Sequence, residues 1–127
     1  MIARKRLKAL VLSDEVPFAK SINAMMEAAN WDCEVIACPE KALARLKAKH
    51  FDLVLTDYRV PNLAQGNALH FISCLRREGI TLPAILVSQD AELLRSVPKD
   101  QLIIPAVLLR PFTASELRTV LSAVYVS

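Results

Sequence analysis

The chain's 127 residues, 54% of them hydrophobic, suffice for one domain with a full core, and no apolar run approaches the ~20 residues that cross a bilayer. A net charge of +3 comes mostly from Arg4, Lys5, Arg6 and Lys8, which are not interleaved with exposed aromatics, so nucleic-acid binding by this domain is not expected. Cys33, Cys38 and Cys74 form neither a CxxC pair nor an even disulfide set, and His50 and His70 lack metal-ligand spacing, which speaks against a disulfide framework and a zinc site.

The basic start, MIARKRLKAL, runs into a short apolar segment without a small-residue cleavage site, so no signal peptide is read and the expected compartment is the cytosol. Leu7 to Leu12 predicts a first strand, ended by Ser13, Asp14 and Glu15. Pro17 suits the first turn of a helix whose buried stripe is Phe18, Ile22, Met25 and Met26. Asn30 tolerates the left-handed conformation that ends helices, so that helix should stop there. Asp32 to Ala37 predicts a second strand. Pro39 then opens a helix with Ala42, Leu43 and Leu46 inward and Lys41, Arg45, Lys47 and Lys49 toward water. At least two of the three cysteines are expected as buried free thiols, and both histidines as surface residues.

The stretch Phe51 to Pro61, FDLVLTDYRVP, carries the chemistry. Its unbroken apolar run predicts a strand buried on both faces, as in a parallel sheet covered by helices, delivering Asp57 to the carboxyl end. An aspartate there is by itself more often a turn former or cap. A loop from Arg59 to Gln65 follows, with Gly66 in a conformation other residues avoid. Asn67 or Ala68 should begin a third helix through Arg77, with Leu69, Ile72 and Leu75 buried and Gly79 as its C-cap. Ala84 to Val87 predicts a fourth strand ending at Ser88. Between Ala91 and Ile104 the pattern is poor, and Pro98 forbids a long helix. Ala106 to Leu109 predicts a fifth strand, and Thr113 with Glu116 forms a capping box for a last helix with Leu117, Val120, Leu121 and Val124 inward.

Strand and helix alternate five times, which implies right-handed crossovers and a parallel five-stranded sheet with helices on both faces. In such a sheet the strand ends share one edge. Asp14 and Glu15 follow the first strand, Asp57 ends the third, Ser88 the fourth, and Arg110 follows the fifth. Carboxylates gathered there repel unless a cation joins them, and hard oxygens of this kind suit Mg²⁺ together with phosphate oxygens. Phosphoryl transfer needs mainly positioning and charge neutralisation, with Asp57 as nucleophile, Ser88 as hydrogen-bond donor and Arg110 as counter-charge.

The segments LVLSDEVP, FDLVLTDYRVPN, PAILVS and LLRPFTASEL together resemble the receiver domain of bacterial two-component response regulators over essentially the whole chain. The resemblance implies a flavodoxin-like (βα)5 three-layer sandwich, strand order 2-1-3-4-5, as a single domain over residues 1–127. It implies Asp57 as phosphoacceptor, Asp14 and Glu15 as the acidic pair for Mg²⁺, joined by Asp57 and the backbone carbonyl of Arg59, and Ser88 as the switch hydroxyl. Aligning Pro17 with the family's proline favours Asp14-Glu15 as the pair over Ser13-Asp14.

The departures are Arg110 where the family has lysine, Val107 at the aromatic switch position, Gly66 one residue late, and an irregular stretch around Pro98. Arginine keeps the charge but is a planar fork, not a compact ammonium. The resemblance also implies a histidine kinase or phosphotransfer protein as donor. Output would run through the fourth helix, fifth strand and fifth helix, to an output domain or partner protein, with a homodimer as a further option. The alternative is a pseudo-receiver, a phosphorylation-independent interaction or dimerisation module. A nucleotide- or flavin-binding enzyme is disfavoured, because no glycine-rich loop follows the first strand. A serine hydrolase is disfavoured as well, because Ser88 has no histidine partner at a matching strand end. Met1 reads as a natural N-terminus, and Ser127, just past the last helix, fits either a stand-alone receiver or the first domain of a longer regulator.

Overall fold

The computed structural model describes residues 6–59, 68–95 and 106–124. The elements are β1 (Leu7–Leu12), α1 (Val16–Ala28), β2 (Trp31–Ile36), α2 (Pro39–Ala48), β3 (Leu53–Asp57), α3 (Ala68–Arg77), β4 (Ala84–Ser88), α4 (Ala91–Arg95), β5 (Ala106–Leu109) and α5 (Ala114–Val124). All neighbouring strands run parallel, in the order β2-β1-β3-β4-β5. This is the expected flavodoxin-like sheet.

The period-2 alternation of each strand builds the layers. Leu10 and Leu12 of β1, Val54 of β3 and Leu86 of β4 pack with Ala42 and Leu46 of α2 and with Phe71, Ile72 and Leu75 of α3. The intervening residues Ala9, Val11, Leu53, Leu55, Ile85 and Val87 face the other way, against Phe18, Ile22 and Met26 of α1 and Leu117 and Leu121 of α5. Every residue of β3 is buried, which explains why its sequence shows no polar alternation. Full burial of one such leucine stabilises the fold by about 2 kcal/mol.

Local signals place the boundaries. Pro17 and Pro39 sit in the first turns of α1 and α2, where their missing N–H costs nothing. Asn30 at φ 72° and Gly79 at φ 82° take the left-handed conformation that ends a helix. At α5 the Thr113 amide donates to Glu116 Oε1 (2.8 Å) and the Glu116 amide donates to Thr113 Oγ1 (3.1 Å), the expected capping box.

Two expectations need correction. None of the cysteines is fully buried: all three are half-buried free thiols, and burial pushes that of Cys33 up to about 11. His70 is half-buried rather than exposed, because it lies on α3 one turn from Cys74, with Nε2 3.8 Å from Sγ. The expectations for Gly66 and its loop, and for Pro98, fall outside the described residues.

Candidate functional site

The parallel register decides which strand ends meet. Leu12 of β1 lies beside Thr56 of β3, so Ser13, next along the chain, comes level with Asp57. Asp57 lies beside Val87, one residue before Ser88, and Ser88 lies beside Leu109, one residue before Arg110. Residues separated by up to 97 positions in sequence thus reach one edge through strand pairing alone. The Arg110 amide donates to the Ser88 carbonyl (2.8 Å), which anchors the start of the β5–α5 connection; its Arg110–Pro111 bond is cis.

Asp57 is the centre. It is only 8% exposed, and among the described residues its carboxylate has two partners. Ser13 Oγ donates to Oδ2 at 2.8 Å, and Arg110 Nη1 donates to Oδ1 at 3.5 Å. Arg110 forks onto Glu15 at the same time, with Nη1 to Oε1 3.3 Å and Nη2 to Oε2 2.9 Å. Its guanidinium carbon also lies 4.1 Å from the centroid of the Phe18 ring, and that ring meets Phe112 edge-on at 6.2 Å. The cation is therefore held on three sides: by Glu15, by Asp57 and by an aromatic face.

Burial pushes the Asp57 carboxyl above its ordinary range, and the negative charges of Glu15 and Asp14 add to that. The Ser13 hydrogen bond and the Arg110 charge pull against it without prevailing. Glu15 moves the opposite way, held below its ordinary value chiefly by the hydrogen bond from Arg110. Arg110 is correspondingly stabilised in its charged form, first by its bond to Glu15.

Of the residues expected at the site, the structure thus brings Glu15, Asp57 and Arg110 into direct contact. Asp14 is exposed on the same loop and acts on Asp57 through its charge. Ser88 is half-buried at the end of β4, where its Oγ accepts the Asp90 amide (3.0 Å). Arg59 is exposed two residues beyond Asp57, and Val107 is half-buried on the side of α2 and α3.

Sequence reasoning missed two residues. Ser13 could have been found by register, since it follows β1 as Asp57 closes β3. Phe18 was seen only as core, yet it lies in the first turn of α1, three residues after Glu15, the N-cap of that helix.

Among the described residues, no group of three His, Cys, Asp or Glu side chains is arranged to hold a metal ion. The donor chemistry nevertheless fits a hard divalent cation. Asp57 and Glu15 present carboxylate oxygens to a shared positive charge, which here is the Arg110 guanidinium.

A flavodoxin-like sheet with a buried aspartate at the end of its third strand, ringed by acids and a cation at the carboxyl edge, defines the receiver class of signalling modules. The chain belongs to the response regulator receiver domain family, whose family model matches residues 9–122, and that family serves two-component signalling. The chain is similar to the transcriptional regulatory protein BasR of Escherichia coli K12, at 22% identity over 111 residues, covering 87% of this chain and 49% of BasR. It therefore spans about half the length of that curated relative. In fold it is similar to the chemotaxis response regulator CheY4 of Vibrio cholerae, with a TM-score of 0.84 at 18% identity over 95% of this chain and 100% of that one. It is likewise similar to a sensor protein from Polaromonas sp. JS666, with a TM-score of 0.81 at 22% identity over 94% and 96% of the two chains. No helix among the described residues is long and apolar enough to cross a membrane.

Proposed function

We propose that this chain is a single cytosolic receiver domain that accepts a phosphoryl group on Asp57 from a histidine kinase or phosphotransfer protein. The observation that carries this reading is the environment of Asp57: a buried carboxylate at a strand end, with one oxygen on a hydroxyl and the other beside a guanidinium. The raised carboxyl of Asp57 makes it more basic and hence more nucleophilic than an exposed aspartate, while Arg110 offsets charge developing on the incoming group. Asp14, Glu15, Asp57 and the Arg59 carbonyl would hold Mg²⁺, which when bound supplies neutralisation of phosphoryl charge. Ser88, on the strand beside Asp57, would donate its hydroxyl proton to the transferred group, since its contact with the Asp90 amide uses only an acceptor lone pair. The output surface in this reading is the face of α4, β5 and α5, toward an attached output domain or a separate partner.

A second reading is favoured by a specific observation. Arg110 already pairs with both Glu15 and Asp57, and Val107 has no ring to reorient, so the site also suits a constitutive interaction module that is never phosphorylated. Titration with beryllium fluoride, a phosphoryl mimic, with and without Mg²⁺ separates the two. For a phosphoreceiver, the amide resonances of Asp57, Ser88 and Val107 should shift only with both present, and Asp57→Asn should abolish the response. An unresponsive wild type at saturating mimic would leave the interaction module as the better account.

A further inference from the structure

We propose that Arg110 is an internal cation that competes with a divalent metal for Glu15 and Asp57, and that the Phe18 ring is the positioning residue that sets the strength of this competition. The inference rests on the reading of the Asp57 edge as a site for a divalent cation and a phosphoryl group.

Three observations carry it. First, the guanidinium touches both carboxylates, forking Glu15 and reaching Asp57 with the same Nη1. A metal that used oxygens of both acids would need the space that this group fills. Second, the contacts are those of an arginine and not of a generic cation. The planar fork matches the Glu15 carboxylate, and its central carbon lies 4.1 Å from the centroid of the Phe18 ring; a lysine, with a single ammonium, could not fork the carboxylate in the same way. Third, the ring is itself fixed. Phe18 is 8% exposed in the α1–α5 layer and braced edge-on by Phe112, so it cannot follow the guanidinium if the latter moves. Beside the guanidinium opens a groove of about 270 Å³ lined by Pro17, Phe18, Ser21, Met25, Arg110 and Phe112 among others, so the arginine is not enclosed on that side.

Arg110 is 15% exposed at its side chain and Asp57 11%, so the attraction between them is screened less than that of a surface pair. Glu15, at 50%, is the outer and weaker anchor. The ring contact therefore contributes where the outer ion pair alone would be weak. Phe18 touches neither carboxylate in this scheme; it acts through Arg110.

The test is Mn²⁺ binding by the full chain, read by water-proton relaxation, in the wild type, Arg110→Gln, Phe18→Leu, Phe18→Tyr and the Phe18→Leu/Arg110→Gln pair. Arg110→Gln should bind Mn²⁺ most tightly. Phe18→Leu should gain about threefold to thirtyfold over wild type, the range of a partly to fully desolvated cation–ring contact. Phe18→Tyr, which keeps a ring, should behave as wild type, and the double variant should gain nothing beyond Arg110→Gln alone.

A packing role for Phe18 would predict weaker metal binding in Phe18→Leu, the opposite sign. In the wild type the Arg110 Hδ resonances should be displaced upfield by the ring and return toward free-arginine positions as Mg²⁺ is added. Full Mg²⁺ occupancy with those resonances unmoved overturns the proposal, as does Phe18→Leu binding Mn²⁺ no better than wild type. A lack of Mn²⁺ binding by Arg110→Gln would overturn it too. Because no phosphoryl mimic enters these titrations, a failed beryllium fluoride response with positive Mn²⁺ results would reject phosphorylation and leave the competition standing.

Discussion

The centre of the sheet and its β5 side are built on different principles. In β1, β3 and β4 the residues Leu10, Val11, Leu53, Val54, Leu55, Ile85 and Leu86 are all fully buried, on strands covered by helices on both faces. In β5 only Leu108 is buried, Ala106 and Val107 are half-buried, and Leu109 is 45% exposed. Site residues come from both regions: Ser13 and Asp57 from the ends of the central strands, Arg110 from the end of β5. The central contribution keeps the family's expected aspartate, whereas the departures that the structure describes, Val107 and Arg110, both lie on the β5 side. A position packed on two faces leaves little freedom to vary, while a half-covered edge strand can exchange side chains at small cost in stability.

The largest effect that this contrast implies is in the centre. Leu55→Ala should cost about 3 kcal/mol in urea-induced unfolding, since it removes buried methyl groups from a strand with helices on both sides. A loss under 1 kcal/mol, roughly the cost of a simple surface change, would mean that the centre collapses around the cavity and is not the rigid part.

An intermediate effect, of opposite sign, is expected at Asp57. A carboxyl group raised in the folded state holds its proton more readily there than in the unfolded chain. Its contribution is therefore fully favourable below the ordinary 3.8 and is lost as pH climbs through the raised value. Asp57→Asn avoids that loss. It should be more stable than wild type by about 1 kcal/mol at neutral pH, the scale of a typical single substitution, with the two denaturation curves converging in acid. An unchanged or lower stability at neutral pH would show that Arg110 and Ser13 compensate the buried charge fully.

The smallest effect belongs to the edge. Leu109→Ser should change stability by less than about 0.5 kcal/mol in the same unfolding assay, as expected for a half-exposed side chain outside the core. A loss comparable with that of Leu55→Ala would erase the contrast, and would show that β5 is covered in solution by something packed against it.

The element order, the parallel sheet and the buried helix stripes were legible in the sequence, because period-2 and period-3.6 burial are properties of a short stretch of chain. So were the helix stops at Asn30 and Gly79 and the capping box at Thr113, each set by backbone chemistry within a few residues. Asp57, the acids after β1 and the cation after β5 were legible as a group, since parallel strands must end on one edge.

Which of those groups touch was not legible. Contact depends on register and on side-chain reach across 44 to 95 residues of chain, which no local pattern encodes. Tertiary structure alone made Ser13 the hydroxyl on Asp57 and joined Arg110 to Glu15 as well as to Asp57. It also turned Phe18 from one more apolar residue of a helix stripe into the surface against which the site's cation rests.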